Sequence, residues 1–233
     1  MILGLDTATE ILHLALVDGE RAWTKRVVVG VGRSHSVSLL PSLNALMQEA
    51  GTSVSVADLK GVCCCAGPGG FTSIRVGVAT AEGLALTGLP TWGFSSFLLR
   101  ARALNQAGIT GIFWVLLDGQ RNEVFIQRWD GVEATNEAQK IPLTALRDII
   151  GTEAWWAPSN LLSKLVEYAR PSLQLKDEGD SMLEGLVSLC RELPRLTPEN
   201  PIQPFYLRET DAEVNFPAAS AHLDDALRKG IAR

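Results

Sequence analysis

No run of lysine or arginine occurs in the 233 residues, and the formal net charge is −5 at neutral pH. An extended nucleic-acid footprint needs clustered cations to displace counterions from phosphates, so this chain is not expected to grip RNA by itself. A long uninterrupted apolar run is lacking too. The most apolar stretch, Val76 to Leu89, is broken by Glu82 and rich in glycine and alanine, which argues against a membrane span. Met1-Ile-Leu-Gly-Leu-Asp6 carries an acid early and no basic leader, unlike a secretory signal. These absences predict a soluble, cytoplasmic protein with no membrane contact.

Histidine is scarce: only His13, His35 and His222 occur, none within four residues of another. Two imidazoles four apart on a helix share a face and can grip one ion, so a helical histidine-pair metal site is not encoded. The four cysteines also lack zinc-ligand spacing. Cys63, Cys64 and Cys65 are adjacent and Cys190 is distant. Neighbours on a strand point to opposite faces, so the three read as small apolar residues of a buried strand. Free thiols in such a cluster suit a reducing compartment. No structural or catalytic metal is expected.

With 46% hydrophobic and 20% charged residues, the chain has an ordinary globular composition and is long enough to need no staples. Ile2 to Asp6, Ile11 to Val17 and Arg21 to Val29 read as strands, the last two joined by the hairpin signal Asp18-Gly19. An amphipathic helix reaching Ala50 follows, with Leu39, Leu43, Leu46 and Met47 on one face, Pro41 at its start or at a kink, and Gly51 as its stop. Gly61 to Ala66 reads as a buried strand. Gly67-Pro-Gly-Gly70 turns it into a helix through Leu86, for which Thr72 is the candidate N-cap. A strand at Pro90 to Phe94 and a helix over 95–106 close the first half. The second half opens with strands at Gly111 to Asp118 and Glu123 to Trp129. Helical segments follow at Leu143–Ile150, Asn160–Tyr168 and Met182–Leu193, with a short strand at Ala154–Trp156. Three meandering strands followed by alternating helix and strand imply an α/β chain with mixed sheets and helices packed on their faces.

The stretch Gly67 to Gly77 is the most informative. A tight glycine turn between a buried strand and a helix serves either as a structural corner or as an anion site, with backbone amides at the positive helix end. It is neither a P-loop nor a dinucleotide fingerprint. In the helix after it, Gly77, Ala81 and Ala85 recur every four residues. Such a row allows close approach of another backbone, either within the fold or in a second subunit.

Several segments together closely resemble the TsaB (YeaZ) family. They are Asp6-Thr-Ala-Thr9, His35-Ser36 ahead of Leu39-Leu-Pro41, Gly67 to Gly77, Asp118-Gly-Gln-Arg-Asn-Glu123 and Pro204-Phe-Tyr-Leu-Arg208. The likeness runs from Met1 to about Arg208. Where the family usually has serine and glycine, this chain has Gly70 and Ser73. The resemblance implies the actin-like ATPase (ASKHA, ribonuclease H-like) fold, with two lobes of mixed sheet and packed helices. These are expected at 1–106 and 107–215, with a tail at 216–233 that holds a terminal helix from Ala218 to Lys229. It also implies a noncatalytic partner of the catalytic subunit TsaD, working with the ATPase TsaE. That assembly transfers a threonylcarbamoyl group to the adenosine next to the anticodon in tRNAs reading codons that begin with A. tRNA would be met only through the complex, and the chain alone would form a homodimer through the surface TsaD uses. No cofactor is expected in the isolated chain, although a nucleotide at the partner interface is compatible with the family. The competing reading is a stand-alone enzyme of the same fold, an ATPase, a small-molecule kinase or a peptidase.

On this reading His35, Leu39, Leu43, Leu46, Met47, Gly77, Ala81 and Ala85 are the candidate partner interface. Asp6, Gly67, Gly69, Gly70, Thr72 and Arg75 are candidate contacts to an anion or nucleotide. For Asp6 the alternative is a turn-capping carboxylate. For Arg75 and Arg121 it is pairing with a nearby acid such as Glu82 or Glu123. Trp155-Trp156 offers base stacking or, more simply, a half-buried strand end.

Overall fold

The computed structural model describes residues 1–29, 34–51, 54–168 and 173–208; the terminal helix expected from Ala218 to Lys229 lies outside them. Strand β1 (Ile2–Asp6) forms the middle of the first sheet, because its residues are apolar or small on both faces. It pairs antiparallel with β2 (Ile11–Asp18), which pairs antiparallel with the edge strand β3 (Arg21–Val28). On its other side it runs parallel to β4 (Gly61–Gly67), and β4 runs parallel to β5 (Thr91–Ser95). The order is β3-β2-β1-β4-β5. Parallel neighbours require crossover helices, supplied here by α1 (His35–Ala50) between β3 and β4 and by α2 (Phe71–Ala85) between β4 and β5.

The period-2 alternation of the strands assigns the two faces of this sheet. Leu39, Leu43, Leu46 and Met47 of α1 and Ile74, Val78 and Ala81 of α2 are buried on one face. The opposite face carries α3 (Ser96–Gln106) and α6 (Glu178–Glu192). A side chain at Gly4 would strike Cys190 Sγ at 2.5 Å and Leu186 at 3.0 Å, so glycine there lets α6 lie directly on β1. Gly185 does the same between helices, its Cα facing the Ala103 backbone.

The second sheet contains β6 (Ile112–Gln120), β7 (Glu123–Asp130), β8 (Glu133–Ala134), β9 (Gln139–Pro142) and β10 (Ala154–Trp156). Its order is β10-β6-β7-β8, with β9 also on β7 and β10 parallel to β6. Helices α4 (Leu146–Ile150) and α5 (Ser159–Leu165) cover it through a separate apolar cluster that includes Leu146, Trp155 and Leu161.

Several expectations change. Pro41 sits inside α1 rather than at its start. Gly70, not Thr72, is the N-cap of α2, since the extended backbone ends one residue before Phe71. The expected helix at Leu143–Ile150 is a 3₁₀ turn at Leu143–Ala145 followed by one short α turn. The short strands β8 and β9 have too few residues to show alternation, so they carried no signal. Trp155 and Trp156 are fully buried, at 3% and 2% exposure, rather than at a half-exposed strand end. Finally, the two sheets are separate, but α6 and the segment 196–208 return to the first sheet, and one apolar core runs from Leu3 through Phe113 to Leu186. The division near residue 106 is therefore one of sheets and not of packing. No helix among the described residues is long and apolar enough to cross a membrane.

Candidate functional site

The sequence segments that resemble a family meet in space at the ends of β1, β4 and β6. Asp6, the last residue of β1, is fully buried on the α3 side of the sheet. Its Oδ1 accepts from the Ala8 amide at 3.0 Å, and its Oδ2 lies 3.5 Å from Arg100 Nη1 and 3.4 Å from His13 Nδ1. Burial alone would push this carboxyl up. The Arg100 guanidinium, with help from His13 and the Ala8 amide, reverses that and holds it well below the usual carboxylate range. Asp6 is thus both the turn cap of the alternative reading and the partner of a buried cation. Arg100 escaped the sequence reading because no motif surrounds it. The signal was a lone charge in the buried phase of an amphipathic helix.

The glycine turn is packed on both sides. The Gly70 amide donates to Ala8 O at 2.8 Å, and Gly69 lies so close to Ala8 that a side chain there would overlap its carbonyl. Gly67 adopts φ +110, a region that favours glycine, and a Cβ there would stand 2.6 Å from Phe205 O. These contacts are those of a structural corner: the Gly70 amide is turned inward to the β1–β2 turn. Gly77 is pressed against Thr7, whose hydroxyl donates to Ser73 O at 2.7 Å. The two departures from the family pattern are also neighbours. A Cβ on Gly70 would meet Ser73 Oγ at 3.3 Å, so the serine side chain stands in the space in front of the glycine.

The last described residues strap this corner down. The Phe205 amide donates to Ala66 O at 2.7 Å, and Tyr206 stacks on Phe71 with ring centroids 5.0 Å apart. Arg75 lies 3.8 Å over the Phe71 ring and donates to the Tyr206 hydroxyl at 3.2 Å. Arg75 is thus a clasp between helix and strap, and Thr72 is exposed beside it. Arg208 reaches the β6–β7 turn, donating to Gly119 O at 3.3 Å and standing 3.8 Å from Glu123. Arg121 belongs to that turn, where Gln120, Arg121 and Asn122 all have positive φ. Replacing Tyr206 by Ala should cost about 1 kcal/mol, the scale of an aromatic pair with one hydrogen bond. A urea melt reads this directly.

The expected partner face is corrected by burial. Leu39, Leu43, Leu46, Met47, Gly77 and Ala81 are all buried against the first sheet, and Ala85 is half-buried. The helical spacing marked the apolar faces of α1 and α2, but their own sheet covers those faces. His35 is buried at the start of α1, its Nε2 2.7 Å from Thr9 O, so it pins the helix to the β1–β2 turn. The outward faces carry other residues. On α1 they are Val37 and Leu40, 66% and 57% exposed, with Pro41 and Asn44. On α2 they are Thr72, Ala79 and Gly83, with Val76 half-buried beside them and Leu86 at the C-cap 90% exposed.

Residues 29–171, more than half of the chain, match the family described as TsaD, tRNA N6-adenosine threonylcarbamoyltransferase. The tRNA threonylcarbamoyladenosine biosynthesis protein TsaB of Escherichia coli is 32% identical over 130 residues, covering 53% of this chain and 52% of that protein. The matched segment thus spans about half the length of that relative. An uncharacterised protein of Mycobacterium tuberculosis is 31% identical over 226 residues, covering 91% of this chain and 93% of its own. Among solved structures, YeaZ from Pseudomonas aeruginosa superposes with a TM-score of 0.68 at 21% identity, covering 88% of this chain and 98% of that one. At that identity the likeness concerns the fold alone, which here is an arrangement of two mixed sheets.

Proposed function

We propose, for a chain that belongs to the TsaD-domain family and within it to the TsaB (YeaZ) proteins, that it acts as a noncatalytic partner subunit in tRNA threonylcarbamoyladenosine biosynthesis. It docks on a TsaD-like catalytic subunit in the cytoplasm, works with a TsaE-like ATPase, and meets tRNA only through that complex. Alone it pairs with a second copy through the same surface. Besides the family itself, the observation that supports this reading is the outward face of α1 and α2. Val37, Leu40 and Leu86 are large apolar side chains left in solvent on these two neighbouring helices. Exposed apolar residues on adjoining helices are material for a helix-on-helix interface. The acidic net charge of −5 fits a subunit that leaves phosphate contacts to its partner.

Gly83→Arg tests the surface. A Cβ at Gly83 meets nothing within 4 Å, so the arginine fits the free chain, and helix propensity favours it over glycine by roughly 0.5–1 kcal/mol. At an interface it inserts bulk and an unpaired charge. Affinity for a coexpressed TsaD-like chain should fall by roughly a hundredfold, while the thermal midpoint stays level or rises. Unchanged binding by both Gly83→Arg and Leu40→Glu would place the interface elsewhere. Threonylcarbamoyl transfer reconstituted with TsaD-like and TsaE-like partners, dependent on this chain, tests the pathway. ATP turnover by the purified chain alone would favour the stand-alone enzyme.

A further inference from the structure

All four cysteines are free thiols, and all four are buried. Three are consecutive on β4, and the sheet divides them. Cys64 faces α2, its Sγ 3.5 Å from where a Cβ on Gly77 would stand. Cys63 and Cys65 therefore face the other way, toward α3 and α6. There the Cys65 thiol is engaged with Ser96 Oγ at 3.2 Å.

What lies beside Cys63 follows from the strand register. Cys63 is the parallel partner of Gly4 on β1, and adjacent strands lie about 4.8 Å apart. Gly4 has no side chain. The Sγ of Cys190 fills its place, 2.5 Å from the position of a Gly4 Cβ. Cys190 belongs to the last turn of α6, so its sulfur and the Cys63 side chain share one layer between sheet and helix. The Cys63 side chain and burial together push the Cys190 thiol well above its ordinary range. The strand excludes the other pairings. Cys63 and Cys65 are about 6.7 Å apart along an extended chain, whereas a disulfide needs Cβ atoms about 3.5–4.5 Å apart. Cys64 points to the opposite face from both.

We propose that Cys63 and Cys190 form a reversible disulfide under oxidative challenge, a staple that fastens the end of α6 to β4 across the gap at Gly4. With hydrogen peroxide as the oxidant the step balances. The Cys190 thiolate attacks one peroxide oxygen and becomes a sulfenic acid. The O–O bond breaks, and the leaving hydroxide takes the thiol proton as water. The Cys63 sulfur then attacks the Cys190 sulfur. The S–O bond breaks as the S–S bond forms, and the hydroxyl leaves with the Cys63 proton as a second water. In the closed fold neither thiol meets solvent, at 0% and 1% exposure, and thiolate is scarce. Oxidation therefore runs through opening of the last turn of α6, since helix ends are where local opening costs least. The staple closes when α6 begins to loosen from the sheet. It is independent of the partner surface, because α1 and α2 pack on the other face of that sheet.

Mass spectrometry tests this on the full-length chain, treated with hydrogen peroxide and then alkylated in denaturant. The expected product is a monomer with two of its four thiols protected, lighter by two hydrogen atoms before alkylation and restored by dithiothreitol. A tryptic digest should join the peptide holding Cys63 to the peptide Asp177–Arg191. Cys64→Ala and Cys65→Ala should keep that link, and Cys63→Ala and Cys190→Ala should abolish it. Where a variant fails to fold, fragmentation of the linked peptide from the unaltered chain still locates the bond. The staple closes a loop of more than a hundred residues, so the thermal midpoint should rise by roughly 5–10 °C. Amide exchange over 178–192 should slow by about tenfold. Four alkylatable thiols after peroxide treatment would overturn the proposal. So would a link from Cys190 to Cys64 or Cys65, a disulfide between two chains, or Cys190 carried to a sulfinic acid without a cross-link.

Discussion

An Asp6→Ala chain should lose about 3–5 kcal/mol of stability, a large part of what holds a domain of this size. The carboxylate is fully buried, and the substitution leaves the guanidinium of Arg100, itself 3% exposed, without its counterion. The Ala8 amide loses its acceptor in the same step. Asp6→Asn, which keeps an oxygen for Ala8 but no charge for Arg100, should fall between the two. Asp6→Ala combined with Arg100→Met should recover part of the loss, because no buried charge is then left alone. Urea midpoints at constant slope measure all four chains. A loss below about 1 kcal/mol for Asp6→Ala would mean that the pair contributes nothing net. The same carboxylate predicts a pH dependence. Its folded pKa is depressed below the ordinary value near 4, so the unfolded chain takes up the proton first. The stabilisation is complete above about pH 4 and is lost progressively as the pH falls toward the folded pKa. Acid melts of Asp6→Asn should be flatter over that range.

Ala81→Arg should be the most damaging change on α2, costing more than about 4 kcal/mol and leaving the chain unfolded. Ala81 has no exposed surface and sits between α2 and the first sheet, where an arginine adds both volume and an unpaired charge. Gly83→Arg, two residues further along the same helix, should fold normally. The contrast uses one introduced side chain at two phases of one helix, so intrinsic propensity cannot produce it. Circular dichroism and soluble yield separate the two at once. A folded, stable Ala81→Arg protein would show that α2 does not pack as described.

Much of the architecture was legible because it rests on local periodicities. The Asp18-Gly19 turn marked the β2–β3 hairpin, and the run Gly61 to Ala66 marked the buried strand that carries three thiols. There Cys63, Cys64 and Cys65 are all buried, and burial pushes the Cys65 thiol up to about 12. The ends of helices were less legible. Thr72 looked like a cap because threonine favours that role, but the corner at Gly67 to Gly70 is set by its packing on Ala8 and Phe205. Propensity lost to tertiary contact.

Most of the element order, the mixed character of the sheets and the resemblance to TsaB were legible in the sequence. Each of these is written in short-range spacing or in contiguous motifs. Only the tertiary structure decided which side of each helix is free. Leu39, Leu43, Leu46, Met47, Gly77 and Ala81 have the spacing of a docking face, and a sequence states that such a face exists without naming what covers it. The first sheet covers it, because burial of that surface against β1, β2 and β4 is what holds α1 and α2 in place. The same holds for Asp6. Its partner Arg100 lies 94 residues away and its neighbour His13 lies across a strand pair. No local pattern links them; pairing of β1 with β2 and packing of α3 on the sheet bring them together.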